Sequence, residues 1–278
     1  MTLYIAAYDT ESPDCLEACR KIVEVHRRYE IPGTFFITGK TLEANPTEYR
    51  DLLDDPLFEV ASHTYSHKML RDHPFCGPAA SEREIREEIF RGRECVERVF
   101  ARSCVGLRAA CGWDRGLKGA PHILRLIDEA GFRYVSTVAW GPDFTLPSPL
   151  REPFTYGHQG LADLWEFPGH GWHDNLLKGS HNWGPRRILL FPPLMPETIP
   201  DDYIETPEEE FAVNNKPFID KAIADGMTYV SLIWHPWSLN MFDPGMEMLD
   251  VTFGYVRKRG MRTVTFSGLL GELQQATE

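Results

Sequence analysis

The chain has 278 residues, of which 42% are hydrophobic and 25% charged, so it can bury a full core. Its formal net charge of −12 argues against nucleic acid or anionic lipid as partners and favours neutral or cationic ligands. No apolar run approaches the roughly 20 residues of a membrane-spanning helix, so no membrane partner is expected.

Met1 leads directly into a strand-like segment, 3–8, with neither a basic n-region nor a small-residue cleavage site. No signal peptide is therefore expected, and a cytoplasmic location is. A helix follows, with Ile22, Val25 and His26 on one side and Glu24, Arg27 and Arg28 on another. The glycine-bounded segment 33–39 is a second strand, a short helix is expected near 46–55, and a third strand at 57–61. Ser81 and Glu84 form a capping-box signature that opens a long helix. Along it Ile85, Ile89, Val96 and Val99 recur at near-helical spacing, and its Glu/Arg mixture predicts a solvated outer face. A short strand is expected at 105–108. Pro121 starts a helix that stops before Gly131, in keeping with helix start and stop preferences. Further strands are expected at 134–138, 163–168, 228–235 and 262–266, with helices around 215–225 and before the last strand.

About eight strands, most followed by a helix, predict a parallel sheet closed or nearly closed into a barrel. The fold expected is α/β, a distorted (β/α)7–8 TIM-like barrel forming a single domain over 1–278. Two stretches, 140–162 and 169–206, are rich in proline, glycine and aromatics and are expected to be long ordered loops over the barrel mouth. The six cysteines (Cys15, Cys19, Cys76, Cys95, Cys104 and Cys111) form no CxxC pair, and reduced thiols are expected. Cys15 and Cys19 stand at a helical spacing that suits packing better than ligation.

Chemistry-bearing side chains fall at strand C-terminal ends, which converge on one face of a barrel. Asp9 and Glu11 follow the first strand, His63 and His67 the third, Arg108 the fourth and His235 the seventh. A strand ending in His-x-x-x-His and continuing into a helical turn would put both imidazoles on one side. Two histidines and a carboxylate hold a divalent ion with a position left for water. The bland alternative for the pair is a solvated turn or a helix cap, and Asp14 competes with Glu11 as the carboxylate. His235, between Trp234 and Pro236, is either a proton donor or a satisfied core histidine. Arg108 is either a site residue or a structural ion-pair partner.

These residues resemble the polysaccharide deacetylases, carbohydrate esterase family four, with the NodB-homology domain. His63-Thr64-Tyr65-Ser66-His67 matches that family's His-[Ser/Thr]-x-x-His motif in full. The first motif is its acidic pair, here Asp9 and Glu11, and the strand ending in His235 within Leu232-Ile233-Trp234-His235-Pro236-Trp237 is similar to its last. Two departures stand out. The carboxylate is Glu11 rather than an aspartate directly after the base, and Ala110 replaces the proline of Arg-x-Pro. The resemblance implies a NodB-type barrel and a hydrolase of carbon–nitrogen non-peptide bonds that removes an N-acetyl or similar acyl group from an amino sugar or glycan. It implies Asp9 as catalytic base, His235 as acid and Arg108 as the residue that orients Asp9. It further implies a divalent ion on Glu11, His63 and His67, zinc in the first instance, with cobalt, manganese or iron as alternatives. Trp113 would wall the substrate groove.

A second cluster, His170, His173 and His181, follows the sixth strand. His170 and His173 are expected to shape the substrate pocket, the alternative being a surface loop. Trp237, with Trp140, Trp165, Trp172 and Trp183, would stack on a sugar or else fill the core. The partner expected is an N-acylated amino sugar or a small amide, and an oligomer is allowed. Rival functions are hydrolysis of a small amide, imide or ureide on the same fold, and a non-catalytic carbohydrate-binding relative that has lost its metal.

Overall fold

Every residue of the segments Ala6–Thr10, Gly33–Ile37 and Tyr134–Val138 is buried, which requires cover on both faces of the sheet they form. The computed structural model of the chain describes residues 1–144, 148–171 and 206–276. Its strands are β1 (Leu3–Tyr4), β2 (Ala6–Thr10), β3 (Gly33–Ile37), β4 (Phe58–Ser62), β5 (Gly106–Trp113), β6 (Tyr134–Val138), β7 (Phe154–Tyr156), β8 (Leu161–Glu166), β9 (Tyr229–Val230), β10 (Ile233–Trp234) and β11 (Arg262–Thr263). One sheet has the order β10-β2-β3-β4-β5-β6-β8-β7, and a smaller one the order β11-β1-β9. The pairings are parallel except that of β7 with β8. Because β1 and β2 are one strand interrupted at Ile5, and β9 and β10 flank 231–232, the two sheets share both strands. A parallel bridge between His170 and Leu232 ties the far side back, with the His170 N–H 2.7 Å from the Ser231 carbonyl. The result is the expected distorted TIM-like barrel.

Helices cover the outside. In α1 (Cys15–Tyr29) the buried residues include Cys15, Cys19, Ile22, Val25 and His26. The short helix expected near 46–55 is α3 (Pro46–Leu53); a further helix, α2 (Gly39–Ala44), precedes it and is divided from it at Asn45, just before Pro46. Proline disfavours the helical conformation in the residue before it, so the break falls there. Both hydrogen bonds of the Ser81/Glu84 capping box open α4 (Glu82–Phe100), and Pro121 is the first residue of α5 (Pro121–Glu129). The strand β7 falls within 140–162, a stretch read from sequence as loop; it is an antiparallel edge strand. All six cysteines are free. Among the described residues no helix is long and apolar enough to cross a membrane.

The period of two along a strand sorts its side chains between two cores. Tyr4, Ala6 and Tyr8 pack in the large cluster under the helices. Leu3, Ile5 and Ala7 join Phe36, Ala61, Tyr134, Phe167, Tyr229 and Phe266 in the barrel interior. Continued past Ala7, the same alternation directs Asp9 and Glu11 to the interior at the C-terminal mouth.

Candidate active site

Asp9 ends the inward-facing row of β2 and is 6% exposed. Arg108, reaching in from β5, donates from Nη1 to Asp9 Oδ1 at 2.6 Å and from Nε to Ser136 Oγ at 3.1 Å. Its guanidinium lies over the Phe36 ring, 4.1 Å from the centroid. This pair is buried, so its two members need one another: removing either would leave a charge in a low-dielectric interior. His235, which follows β10, places Nε2 4.0 Å from Asp9 Oδ2 and 3.4 Å from Glu11 Oε1.

Glu11, His63 and His67 converge, each offering one ligand atom within 4.8 Å of the others. Glu11 Oε1 is 3.2 Å from His67 Nε2 and 3.7 Å from His63 Nε2. The segment between the histidines is not the helical turn expected from their spacing. Thr64 (φ 63°) and His67 (φ 65°) are both left-handed, and this reversal brings the two rings to 4.8 Å between centroids. His63 Nδ1 lies 2.9 Å from the Arg108 carbonyl, which can only accept, so Nδ1 carries the proton and Nε2 its lone pair. That Nε2 is buried and has no hydrogen-bond partner.

A buried imidazole lone pair without a donor, next to a carboxylate and a second imidazole, suits a divalent cation. The charge balance agrees. Burial alone would raise the Glu11 carboxyl, but the His235 charge and hydrogen bonds from His235 and His67 hold it well below the usual carboxylate range. Burial pushes His67 down, yet the hydrogen bond and charge of Glu11, with the charge of Asp9, raise its pKa overall. Positive charge is favoured at this point of the molecule.

Beside the cluster lies a cavity of about 160 Å³. Asp9, Glu11, His67, Arg108, Ser136 and His235 supply its polar wall, and Cys76, Ala109, Trp140, Ile233 and Trp237 are among those that supply the apolar one. Trp237 lines the cavity, and its indole Nε1–H donates to Glu11 Oε2 at 3.2 Å.

Two expectations are corrected. Trp113 is not a groove wall; it is 1% exposed within the core and donates its indole N–H to the Asp72 carbonyl. A register shift between Arg108 and Trp113, with Cys111 (φ 58°) and Gly112 (φ 66°) left-handed, carries it away from the cavity. His170 does not face the pocket either. Its Nδ1 accepts the Ser231 N–H, its Nε2 lies 2.9 Å from the Arg151 carbonyl, and burial pushes its pKa down to about 4. Asp14 is exposed at the N-terminus of α1. His173 and His181 lie outside the described residues.

Sequence reasoning missed Ser136, Cys76 and Glu88. Glu88 had a signal: it stands three residues after Ile85 and four before Gly92, on the buried stripe of α4.

Residues 7–135 match the family model described as polysaccharide deacetylase. The chain carries the polysaccharide deacetylase pattern over this segment. Asp9, Glu11, His63, His67 and Arg108 fall inside the match, whereas His235 and Trp237 lie beyond it. A probable polysaccharide deacetylase from Pseudomonas aeruginosa is 15% identical with a TM-score of 0.65, over 99% of this chain and 90% of that one. An allantoinase is 13% identical with a TM-score of 0.65, over 97% and 88%. A carbohydrate esterase family four pseudoenzyme from Bacillus anthracis is 12% identical with a TM-score of 0.55, over 97% of this chain and 65% of its own length. At such identities the likeness is one of fold.

Proposed function

We propose that this polysaccharide deacetylase relative is a metal-dependent hydrolase that removes an acyl group from the amide nitrogen of an amino sugar or a compact amide. The observation that carries the proposal is the convergence of Glu11, His63 and His67 beside a cavity whose wall includes Glu11, His67, Asp9 and His235. A divalent ion held by those three ligands, zinc or a similar metal, would supply Lewis acidity to a water molecule and to the amide carbonyl.

The chain's own groups do the rest. Arg108 occupies Asp9 Oδ1, so Oδ2 is the atom left to take a proton from the attacking water. His235 Nε2, 4.0 Å from that oxygen and 3.4 Å from Glu11 Oε1, would deliver a proton to the departing nitrogen. Water oxygen bonds to the acyl carbon as Asp9 takes one water proton, the carbon–nitrogen bond breaks as His235 gives its proton to the nitrogen, and the acid and the neutral amine leave; return of the Asp9 proton to His235 restores both groups. Trp140, Trp237 and Ile233 exclude water from the acyl side of the pocket.

The cavity's size favours a compact substrate. An apolar cavity of about 150 Å³ accommodates a benzene-sized group, so the 160 Å³ here suits one acyl group with its amide. This supports, as a second reading, a small amide, imide or ureide in place of a glycan. Acid release from N-acetylated sugars and from small cyclic and linear amides, with added zinc and after chelation, tests both. Turnover of either class that chelation abolishes supports the hydrolase; stoichiometric zinc without turnover of any member favours a non-catalytic binder.

A further inference from the structure

The reversal at Thr64–His67 is held from two sides. On one, the N–H groups of Gly39 and Lys40, which begin α2, donate to the carbonyls of Thr64 (3.0 Å) and Tyr65 (2.9 Å). On the other, Glu88 of α4, 2% exposed, takes the turn's donors. Its Oε2 accepts the Ser66 N–H at 2.7 Å and the Lys68 N–H at 3.4 Å, and its Oε1 accepts the Ser66 hydroxyl. The His67 N–H goes to Thr64 Oγ1 at 3.1 Å.

One helical turn further along α4, Gly92 has no side chain where the turn's backbone passes. A Cβ there would lie 2.7 Å from the Thr64 carbonyl carbon and 2.7 Å from Ser62 Oγ. Glu88 and Gly92 thus form one docking face, i and i+4, that admits the turn and then fixes it. The left-handed conformation at His67 is costly for a residue with a Cβ and persists where its surroundings over-determine it. Glu88 touches neither the cavity nor any of the three ligands' side-chain atoms. Its effect on the site is to select the backbone conformation from which His67 Nε2 comes within 3.2 Å of Glu11 Oε1.

We propose that Glu88, seated against the turn by Gly92, is a positioning residue for the metal centre, acting through His67. The proposal rests on the metal-site reading above. Its test is zinc titration of purified wild-type, Glu88→Gln, Glu88→Ala and His67→Ala proteins and the Glu88→Ala/His67→Ala double variant. Each is titrated in competition with a chromophoric chelator, and its melting temperature is measured without metal. Glu88→Ala is expected to weaken zinc binding 10–100-fold, the range for groups that orient ligands. Glu88→Gln should recover most of that loss, because its amide oxygen can accept the Ser66 N–H and the Ser66 hydroxyl can turn to accept from its amide. In the His67→Ala background the further loss from Glu88→Ala should be less than twofold.

Zinc affinity of Glu88→Ala within twofold of wild type, with only the melting temperature lowered, would reduce Glu88 to a structural role and overturn the proposal. Undiminished loss in the His67→Ala background would overturn the route through His67. If Glu88→Ala does not fold, Glu88→Asp, whose carboxylate is one methylene too short for the Ser66 donors, carries the same comparison. Wild-type protein that binds no zinc would instead remove the metal-site reading, and this proposal with it.

Discussion

The imidazole Nδ1 of His63 and the backbone carbonyl of Arg108 stand 2.9 Å apart, while the Arg108 guanidinium holds Asp9 at 2.6 Å. One residue of β5 therefore sets the tautomer of a candidate ligand through its main chain and orients the candidate base through its side chain. The main-chain contact survives substitution at 108 and the side-chain contact does not, so the two can be separated.

Arg108→Met should leave Asp9 buried without its ion-pair partner. The expected cost is about 3–5 kcal/mol of folding stability, read from urea unfolding, together with loss of most turnover. Arg108→Lys should fall between, since a compact ammonium cannot reproduce the fork that reaches both Asp9 and Ser136. Zinc binding by folded Arg108→Lys should stay near wild type, because the carbonyl that orients His63 is still present.

Asp9→Asn should lower kcat by roughly 10²–10⁴-fold, the usual worth of a general base, yet spare zinc affinity, since Asp9 is not in the ligand cluster. Parallel turnover and zinc titrations check this. A variant that loses both together would move Asp9 into the ligand set.

Gly92→Ala would press a methyl group to 2.7 Å from the Thr64 backbone. Backbone cannot yield as a flexible side chain does, so a cost of about 1–3 kcal/mol is expected, measurable as a lowered urea midpoint with an unchanged slope.

Two buried histidines predict acid sensitivity. Burial lowers His26 and His170 to about 4 from an ordinary value of 6.5. His26 Nδ1 meets the Ile31 carbonyl at 2.6 Å and its Nε2 meets the Tyr8 hydroxyl at 2.7 Å, a pattern that suits the neutral ring. Between these pH values the unfolded chain binds protons that the folded one refuses, so stability falls as pH drops from about 6.5 toward 4. Each group accounts for roughly 3 kcal/mol over that window. His170→Gln should be less stable than wild type at pH 7, and the gap should narrow by about that amount at pH 4. A gap that does not change with pH would contradict the assignment.

Most of the site was legible because strand alternation and strand-end placement are local properties. Leu3, Ile5 and Ala7 already face the interior, which leaves Asp9 and Glu11 little choice. What was not legible depends on partners distant in sequence or on a break in the period. Trp113 follows a register shift at two left-handed residues, and no pattern in 105–113 announces where it occurs. His170 looked like a pocket residue because its histidine-rich neighbourhood suggested ligands. Its ring is taken by Arg151 and Ser231, the latter 61 positions away, where it helps close the sheet. Glu88 was grouped with the charged outer face of α4 although its place on the helix wheel lies with Ile85 and Ile89. The left-handed turn at 64–67 cannot be read from His-x-x-x-His spacing, which fits a helix equally well.

The most direct test is zinc titration of metal-free wild-type protein alongside Glu11→Ala and the His63→Ala/His67→Ala double variant. One equivalent bound per wild-type chain, with affinity lost in both variants while their folds persist, is the outcome predicted. No stoichiometric binding by wild type, or binding that survives loss of both imidazoles, would contradict a cation site built from Glu11, His63 and His67.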